Sequence, residues 1–268
     1  MTRAWSSLAV GVLLVGAFPV WSADKRASEN YVKGAPPERM VPSGPHRGPV
    51  WRHPAVVIYD NGPLITAPGG GFGGADLSAL QTALGMGTFG FTVNQNPFRL
   101  ADDFTVPAAG WQIDTITVFA YQTGSSTTST FTSATLRIFN AQPPGGTVIF
   151  GDTTTNRLGP TSFSNIYRAL DTDPLNNQRP VMANVVTGPG VGGPLSAGTY
   201  WAEWGLTGSL ASGPFAPPIS ILGQTTTGNA LQFDGANYNA LVDVGPQGMP
   251  FILDGVVLPV ELMEFNVR

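Results

Sequence analysis

The side chains able to do chemistry in this 268-residue chain are carboxylates, a few arginines and a set of aromatic rings. Glycoside hydrolysis needs two carboxyl groups, about 5–5.5 Å apart for retention or about 6.5–9.5 Å for inversion. Beyond residue 54 the glutamates are Glu203, Glu261 and Glu264, joined by aspartates that include the adjacent Asp102 and Asp103, and their spacing singles out no pair. A polysaccharide lyase using residues such as Tyr167 and Arg168 is a second catalytic option. Oxygen donors also cluster in Asp171-Thr172-Asp173-Pro174-Leu175-Asn176-Asn177. Calcium takes about six to eight such ligands, which makes Asp171, Asp173 and Asn177 candidate ligands of one structural calcium. The segment lacks the Gly and Glu of an EF-hand loop, and its Asp and Asn side chains equally suit a turn that bonds its own backbone.

A binding surface is the other use of these residues. A flat ring stacks on the apolar face of a sugar, while amides and carboxylates take its hydroxyls. Strand alternation over Gly198 to Leu206 puts Tyr200, Ala202 and Trp204 on one face and Trp201 and Glu203 on the other. Glu203 marks its face as the wetter one, so Trp201 beside Glu203 is a candidate stacking platform. Phe215, held by prolines in Ser212-Gly213-Pro214-Phe215-Ala216-Pro217-Pro218, is a second. Trp201, Trp204 and Phe215 also read as core fillers.

Absences narrow the chemistry further. His46, His53, Lys25 and Lys33 all precede Pro54, and no His, Cys or Lys follows it. Nucleophile activation by an imidazole, cysteine chemistry and Schiff-base chemistry therefore have no central residue in the body of the chain. The Gly69 to Gly74 run leads into no Gly-Lys-Ser/Thr, so it reads as a flexible loop instead of a phosphate cradle. Residues 24–53 carry a net charge of +3 and residues 54–268 a net charge of −8. Nucleic acid is disfavoured as a partner, because phosphate contacts need clustered Lys or Arg.

The elements that must position these groups are strands. From Ala55 onward the apolar residues recur mainly at a period of two, in short runs separated by Gly, Pro, Asn or Thr-Ser clusters. Ile116, Val118 and Ala120 fall on one face of Gln112 to Gln122 and Phe119 and Tyr121 on the other, so both faces carry contact surface. One short helix is predicted from Asp76, a capping residue type, through Leu77, Leu80 and Leu84 to a terminating Gly85. A dozen short strands and one helix predict an all-β fold, an antiparallel β-sandwich of jelly-roll type. With 34 glycines and 24 prolines the chain stays below the low-complexity range of about 25–30%, and it has no Cys to staple it. At this length a hydrophobic core suffices.

Three segments are expected: a signal peptide over 1–22, a basic Pro-rich flexible linker over 23–53, and a single β-sandwich domain over 54–268. Met1-Thr2-Arg3, the apolar run Leu8 to Phe18 and the small residues Ser22 and Ala23 have the order of a secretory signal. No second apolar run reaches spanning length. The functional alternative for the linker is that its cations hold anionic envelope polymers or fold back on the acidic body.

Tyr59-Asp60-Asn61-Gly62-Pro63-Leu64 followed by Pro68-Gly69-Gly70-Gly71, then Ala101-Asp102-Asp103-Phe104-Thr105-Val106, Phe150-Gly151-Asp152-Thr153-Thr154-Thr155-Asn156-Arg157-Leu158 and Gly198-Thr199-Tyr200-Trp201, resemble a family of exported bacterial β-sandwich proteins. The resemblance runs from about Val57 to Phe265 and implies location and fold, with no activity attached. Some relatives carry C-terminal sorting tails, whereas this chain ends Glu264-Phe265-Asn266-Val267-Arg268. The expected function is a secreted, non-catalytic binding or adhesive module for extracellular polysaccharide or an envelope component. A structural envelope or matrix component and a carboxylate-based glycoside hydrolase are the alternatives.

Overall fold

In the computed structural model of the chain, the described residues are 27–36, 38–41, 44–53, 56–187 and 193–259. They form an all-β protein with two short 3-10 turns and no α-helix. Among them no helix is long and apolar enough to cross a membrane. The expected signal peptide and the C-terminal glutamates Glu261 and Glu264 lie outside the described residues.

In chain order the strands are β1 (Ser28–Asn30), β2 (Val57–Asp60), β3 (Asp76–Leu80), β4 (Thr88–Thr92), β5 (Arg99–Val106), β6 (Trp111–Ala120), β7 (Phe131–Phe139) and β8 (Val148–Asp152). They continue with β9 (Leu158–Leu170), β10 (Pro180–Thr187), β11 (Gly198–Gly208), β12 (Phe215–Ala216), β13 (Leu231–Phe233), β14 (Tyr238–Ala240) and β15 (Phe251–Val257). Sheet I has the order β2-β15-β6-β10-β9-β3 and sheet II the order β14-β13-β5-β11-β7-β8. A three-stranded sheet III has the order β1-β4-β12. Every pairing is antiparallel except β3 with β9.

Sheets I and II face each other across one core, to which β6 gives Ile116 and Val118, β15 gives Phe251 and Leu253, β5 gives Leu100 and Phe104, and β11 gives Ala202 and Trp204. Each large apolar side chain buried there stabilises the fold by about 1.5–3 kcal/mol. The opposite residues of sheet I, Phe119, Ile166, Val181 and Ile252, are buried in a second cluster with Leu64, Leu80, Met86 and Phe89. Tyr31, Trp51 and Phe215 pack on that cluster from outside. Sheet I is therefore covered on both faces, as the two-faced apolar pattern of β6 requires.

Two expectations change. The segment predicted as a helix is strand β3 followed by a 3-10 turn, Thr82–Leu84, which Gly85 does terminate at φ 79°. Leu77 and Leu80 have helical spacing by coincidence, because they point to opposite sides of a strand buried on both faces. Arg168, fully buried, donates to the Ala79 carbonyl at 2.8 Å and to the Ser78 hydroxyl at 3.2 Å. Within an α-helix that carbonyl would be taken by the helix's own ladder.

The second change concerns the described residues of the segment 23–53, expected as a flexible linker. β1 pairs with β4, the Trp51 amide donates to the Phe163 carbonyl at 2.7 Å, and the Trp51 ring lies edge-on to Phe119 with centroids 5.5 Å apart. The ion pairs between arm and body among the described residues run from the arm's acids. Acids of this arm, Glu29 and Glu38, grip Arg179 of the body.

Candidate functional site

The residues singled out from the sequence fall in four separate places. Trp201 is on the outer face of sheet II and is 4% exposed, packed with Ala101, Phe139 and Leu231. It offers no open ring face for a sugar. Glu203, two residues on, is the centre of a closed cluster: Arg99 Nε donates to Oε1 at 2.7 Å, Arg137 Nε to Oε1 at 2.9 Å, and Arg137 Nη2 to Oε2 at 3.0 Å. The Tyr238 hydroxyl donates to Oε2 as well. Alternation put Glu203 on the outer face correctly, but the charge is neutralised by cross-strand arginines, so the face is dry there. The guanidiniums in turn lie over Phe233, at 4.2 Å, and Phe139, at 4.9 Å.

Phe215 belongs to β12 and is half-buried against Tyr121, whose ring centroid is 5.8 Å away. Its backbone exchanges two hydrogen bonds with Tyr121, which fixes it as a strand residue instead of a displayed loop ring. The candidate calcium ligands each make hydrogen bonds within the chain. Asp171 accepts from the Thr82 hydroxyl at 2.7 Å and from the Ala83 amide, Asp173 accepts from the Asn176 side chain at 3.2 Å, and Asn177 exchanges a pair of hydrogen bonds with the Val41 backbone. Hydrogen bonding from Thr82 and the neighbouring amides holds the Asp171 carboxyl below its ordinary value, against a burial effect that raises it. No group of three His, Cys, Asp or Glu placed to hold a metal occurs among the described residues. Tyr167 and Arg168 are both internal, and Arg168 spends its guanidinium on the Phe89, Thr88 and Ala79 carbonyls and the Ser78 and Ser220 hydroxyls.

The open polar chemistry lies elsewhere, on the outer face of sheet I. A cleft of about 430 Å³ runs between that face and residues 50–53 of the N-terminal arm. Phe119, Ile166, Ile252 and Leu64 form its apolar floor, and Trp51 is a half-buried wall. Around it stand Arg52, His53, Asp60, Asp76 and Asn165. Asp60 Oδ1 accepts from the Gly62 amide at 3.0 Å and Asp76 Oδ1 from the Gly69 amide at 2.8 Å. These turns hold the carboxylates while the second oxygen of each has no protein partner among the described residues. His53 lies 4.8 Å from Trp51, ring to ring.

Asn165 is placed by a bulge. β9 and β10 pair Ile166 with Val181 and Phe163 with Met182, so Ser164 and Asn165 are extra residues opposite two consecutive partners. The displacement re-aims the strand, as bulges do beside functional sites. Asn165 has φ 65°, the single positive value outside glycine among the described residues. Asn tolerates this left-handed region better than most residues, yet it still stores strain, and such strain gathers at ligand sites. The Asn165 amide lines the cleft with no protein hydrogen bond among the described residues.

Sequence reasoning missed this site because four of its lining residues, Val50 to His53, belong to the arm set aside as linker. The signal was present: Tyr31 and Trp51 are large rings that a solvated linker has no reason to carry. The argument that imidazole is absent from the body also fails in space, since the arm returns His53 to a cleft with two aspartates. Comparison with family models, curated proteins and solved structures gives no match, so the cleft is read from its own chemistry.

Proposed function

We propose that the chain is a secreted, non-catalytic binding module for extracellular carbohydrate, and that a sugar ring occupies the Trp51 cleft. One observation carries the reading. An apolar floor with one indole wall is ringed by polar groups, the Asn165 amide and one oxygen each of Asp60 and Asp76, that have no protein partner among the described residues. A sugar presents the complement, an apolar face and a girdle of hydroxyls. The volume, about 430 Å³, lies within the range of about 300–1,000 Å³ usual for small-ligand sites. Export rests on the apolar Leu8 to Phe18 run and on the family resemblance. The jelly-roll reading of the sandwich rests on the repeated crossing of the chain between sheets I and II, from β5 to β6 to β7 and again from β10 to β11.

The test is retention of the protein on a panel of insoluble and immobilised polysaccharides. Wild type is retained on at least one neutral polymer, and Trp51→Ala is released from it. Equal retention of both proteins removes the cleft from the account. Hydrolysis is the second reading, favoured by Asp60 and Asp76 lining one cleft with His53 beside them. Reducing ends that accumulate with wild type and vanish in Asp60→Asn or Asp76→Asn would establish it in place of simple binding.

A further inference from the structure

A second cleft, of about 620 Å³, lies between residues of the N-terminal arm and Phe89, Leu170 and Arg179 of the body, and shares no lining residue with the Trp51 site. Tyr31, Met40, Phe89 and Leu170 give it an apolar lining, and Arg179 and Glu38 stand at its polar end. Arg179 is 1% exposed, and its guanidinium carbon lies 3.6 Å from the centroid of the Phe89 ring. One carboxylate serves the guanidinium from inside the fold: Glu29 accepts from Nε at 3.1 Å and from Nη2 at 2.7 Å. Glu29 is also tied to the Tyr121 hydroxyl at 2.8 Å and to the Thr123 hydroxyl at 2.9 Å, so it is fixed.

Glu38 is different. It meets the outer fork of Arg179, accepting from Nη1 at 2.6 Å and from Nη2, and its side chain is 39% exposed. Among the described residues Nη1 has no other acceptor, and Glu38 has no other hydrogen-bond donor. The remaining acid of the cleft, Asp173, is held by the Asn176 side chain. A stacked, desolvated guanidinium thus stands at the end of an apolar cleft, with a solvent-exposed carboxylate of the chain's own paired to its outer edge. Arg recognises carboxylates through this two-pronged geometry, and burial strengthens the contact.

We propose that this cleft binds a small carboxylic acid with an apolar body, whose carboxylate takes the place of Glu38 on Arg179 while its hydrocarbon lies along Tyr31, Met40, Phe89 and Leu170. The site is distinct from the Trp51 cleft and stands whether or not sugars bind there. Glu38 acts as a built-in competitor, lowering the apparent affinity of the site for any outside acid.

Titration calorimetry with octanoate and with 1-octanol, on the whole protein and on Glu38→Ala, tests this. Octanoate binds Glu38→Ala about tenfold more tightly than wild type, as expected for release of a charged hydrogen-bond competitor. The alcohol binds Glu38→Ala at least about tenfold more weakly than the acid does. Met40→Trp, which fills the apolar end, abolishes octanoate binding in the Glu38→Ala background while the near-ultraviolet circular dichroism stays native. Acetate at high concentration raises the melting temperature of Glu38→Ala more than it raises that of wild type, each measured against the same concentration of chloride. Equal octanoate affinity in wild type and Glu38→Ala, octanol matching octanoate, or binding indifferent to Met40→Trp each overturns the proposal.

Discussion

The outer faces of the two large sheets carry comparable inventories, aromatic rings, carboxylates and arginines, and put them to opposite uses. On sheet II, Glu203 is enclosed by Arg99, Arg137 and Tyr238, and Trp201 is packed beside Phe139 and Leu231. Each of those four polar side chains bonds to another of the group, and the side chain of Glu203 has no exposure at all. On sheet I, Trp51, Asp60, Asp76 and Asn165 surround a cleft and keep donors and acceptors to spare. Residue type does not separate the two faces. Satisfaction does: a group whose partners are all internal stabilises the fold, and a group left open is available to something outside it.

The sharpest way to break this contrast is to open the closed side. Glu203→Ala strips the carboxylate from two arginines and a tyrosine. Removing one partner of a buried ion pair is destabilising by about 3–5 kcal/mol. Urea denaturation is expected to register a loss of that size, with sugar retention of the folded fraction unchanged. A stable Glu203→Ala that had lost retention would move the binding face to sheet II.

The sandwich interior adds an enclosed carboxylate with no cation. Asp102 points between the sheets and accepts from the Asn61 side chain at 2.9 Å, the Met249 amide at 2.7 Å and the Asp103 amide at 2.9 Å. Burial pushes its pKa up to about 7, the hydrogen bonds opposing and Asp103 adding to the shift. The unfolded group titrates near 3.8, so between these values the folded state holds a proton that the unfolded state has lost. The contribution of Asp102 is therefore present at low pH and is lost as pH rises through about 4 to 7, by up to about 4 kcal/mol. Unfolding free energy measured across that window should fall more steeply in wild type than in Asp102→Asn. Parallel profiles would show that the anion is as well housed as the acid.

Smaller effects probe the open side. Asp60→Asn with Asp76→Asn should leave stability within about 0.5 kcal/mol, as surface changes do. Affinity for the retained glycan should drop by about tenfold, the loss of one or two charged hydrogen bonds. Asn165→Gly removes the strain of a positive φ and should stabilise the protein by about 0.5–1 kcal/mol in a melting experiment while weakening retention. A glycine variant that gained stability and kept full affinity would make the bulge a folding feature alone.

Much of the sandwich was legible in the sequence, because period-two patterns persist where strands are long and one side faces an interior. The stretch read as a strand from Gln112 to Gln122 is Trp111–Ala120, and that read from Gly198 to Leu206 is Gly198–Gly208. The missed strands are short or disguised. Thr88–Thr92 has glycine at its centre, because a Cβ at Gly90 would lie 2.8 Å from the Tyr121 hydroxyl, and β3 carries leucines at a helical interval. The site was the least legible part. Its indole and imidazole sit among prolines that suppress regular pairing, so only long-range contacts such as Trp51 to Phe163 and Phe119 bring them to a sheet. Local pattern shows the rings, Tyr31 and Trp51, but not the distant residues they meet. The same limit hid the partners of Glu203: Arg99 and Arg137 are 104 and 66 residues away and meet it only through cross-strand register.

The central claim, that the Trp51 cleft holds a sugar without cutting it, is tested most directly by titrating wild type and Trp51→Ala with an oligosaccharide of the retained polymer while assaying the same mixture for new reducing ends. The account predicts one-to-one binding to wild type, at least about tenfold weaker binding to Trp51→Ala from the lost ring contact, and no new reducing ends. Unchanged binding by Trp51→Ala, or steady release of reducing ends by wild type, would contradict it.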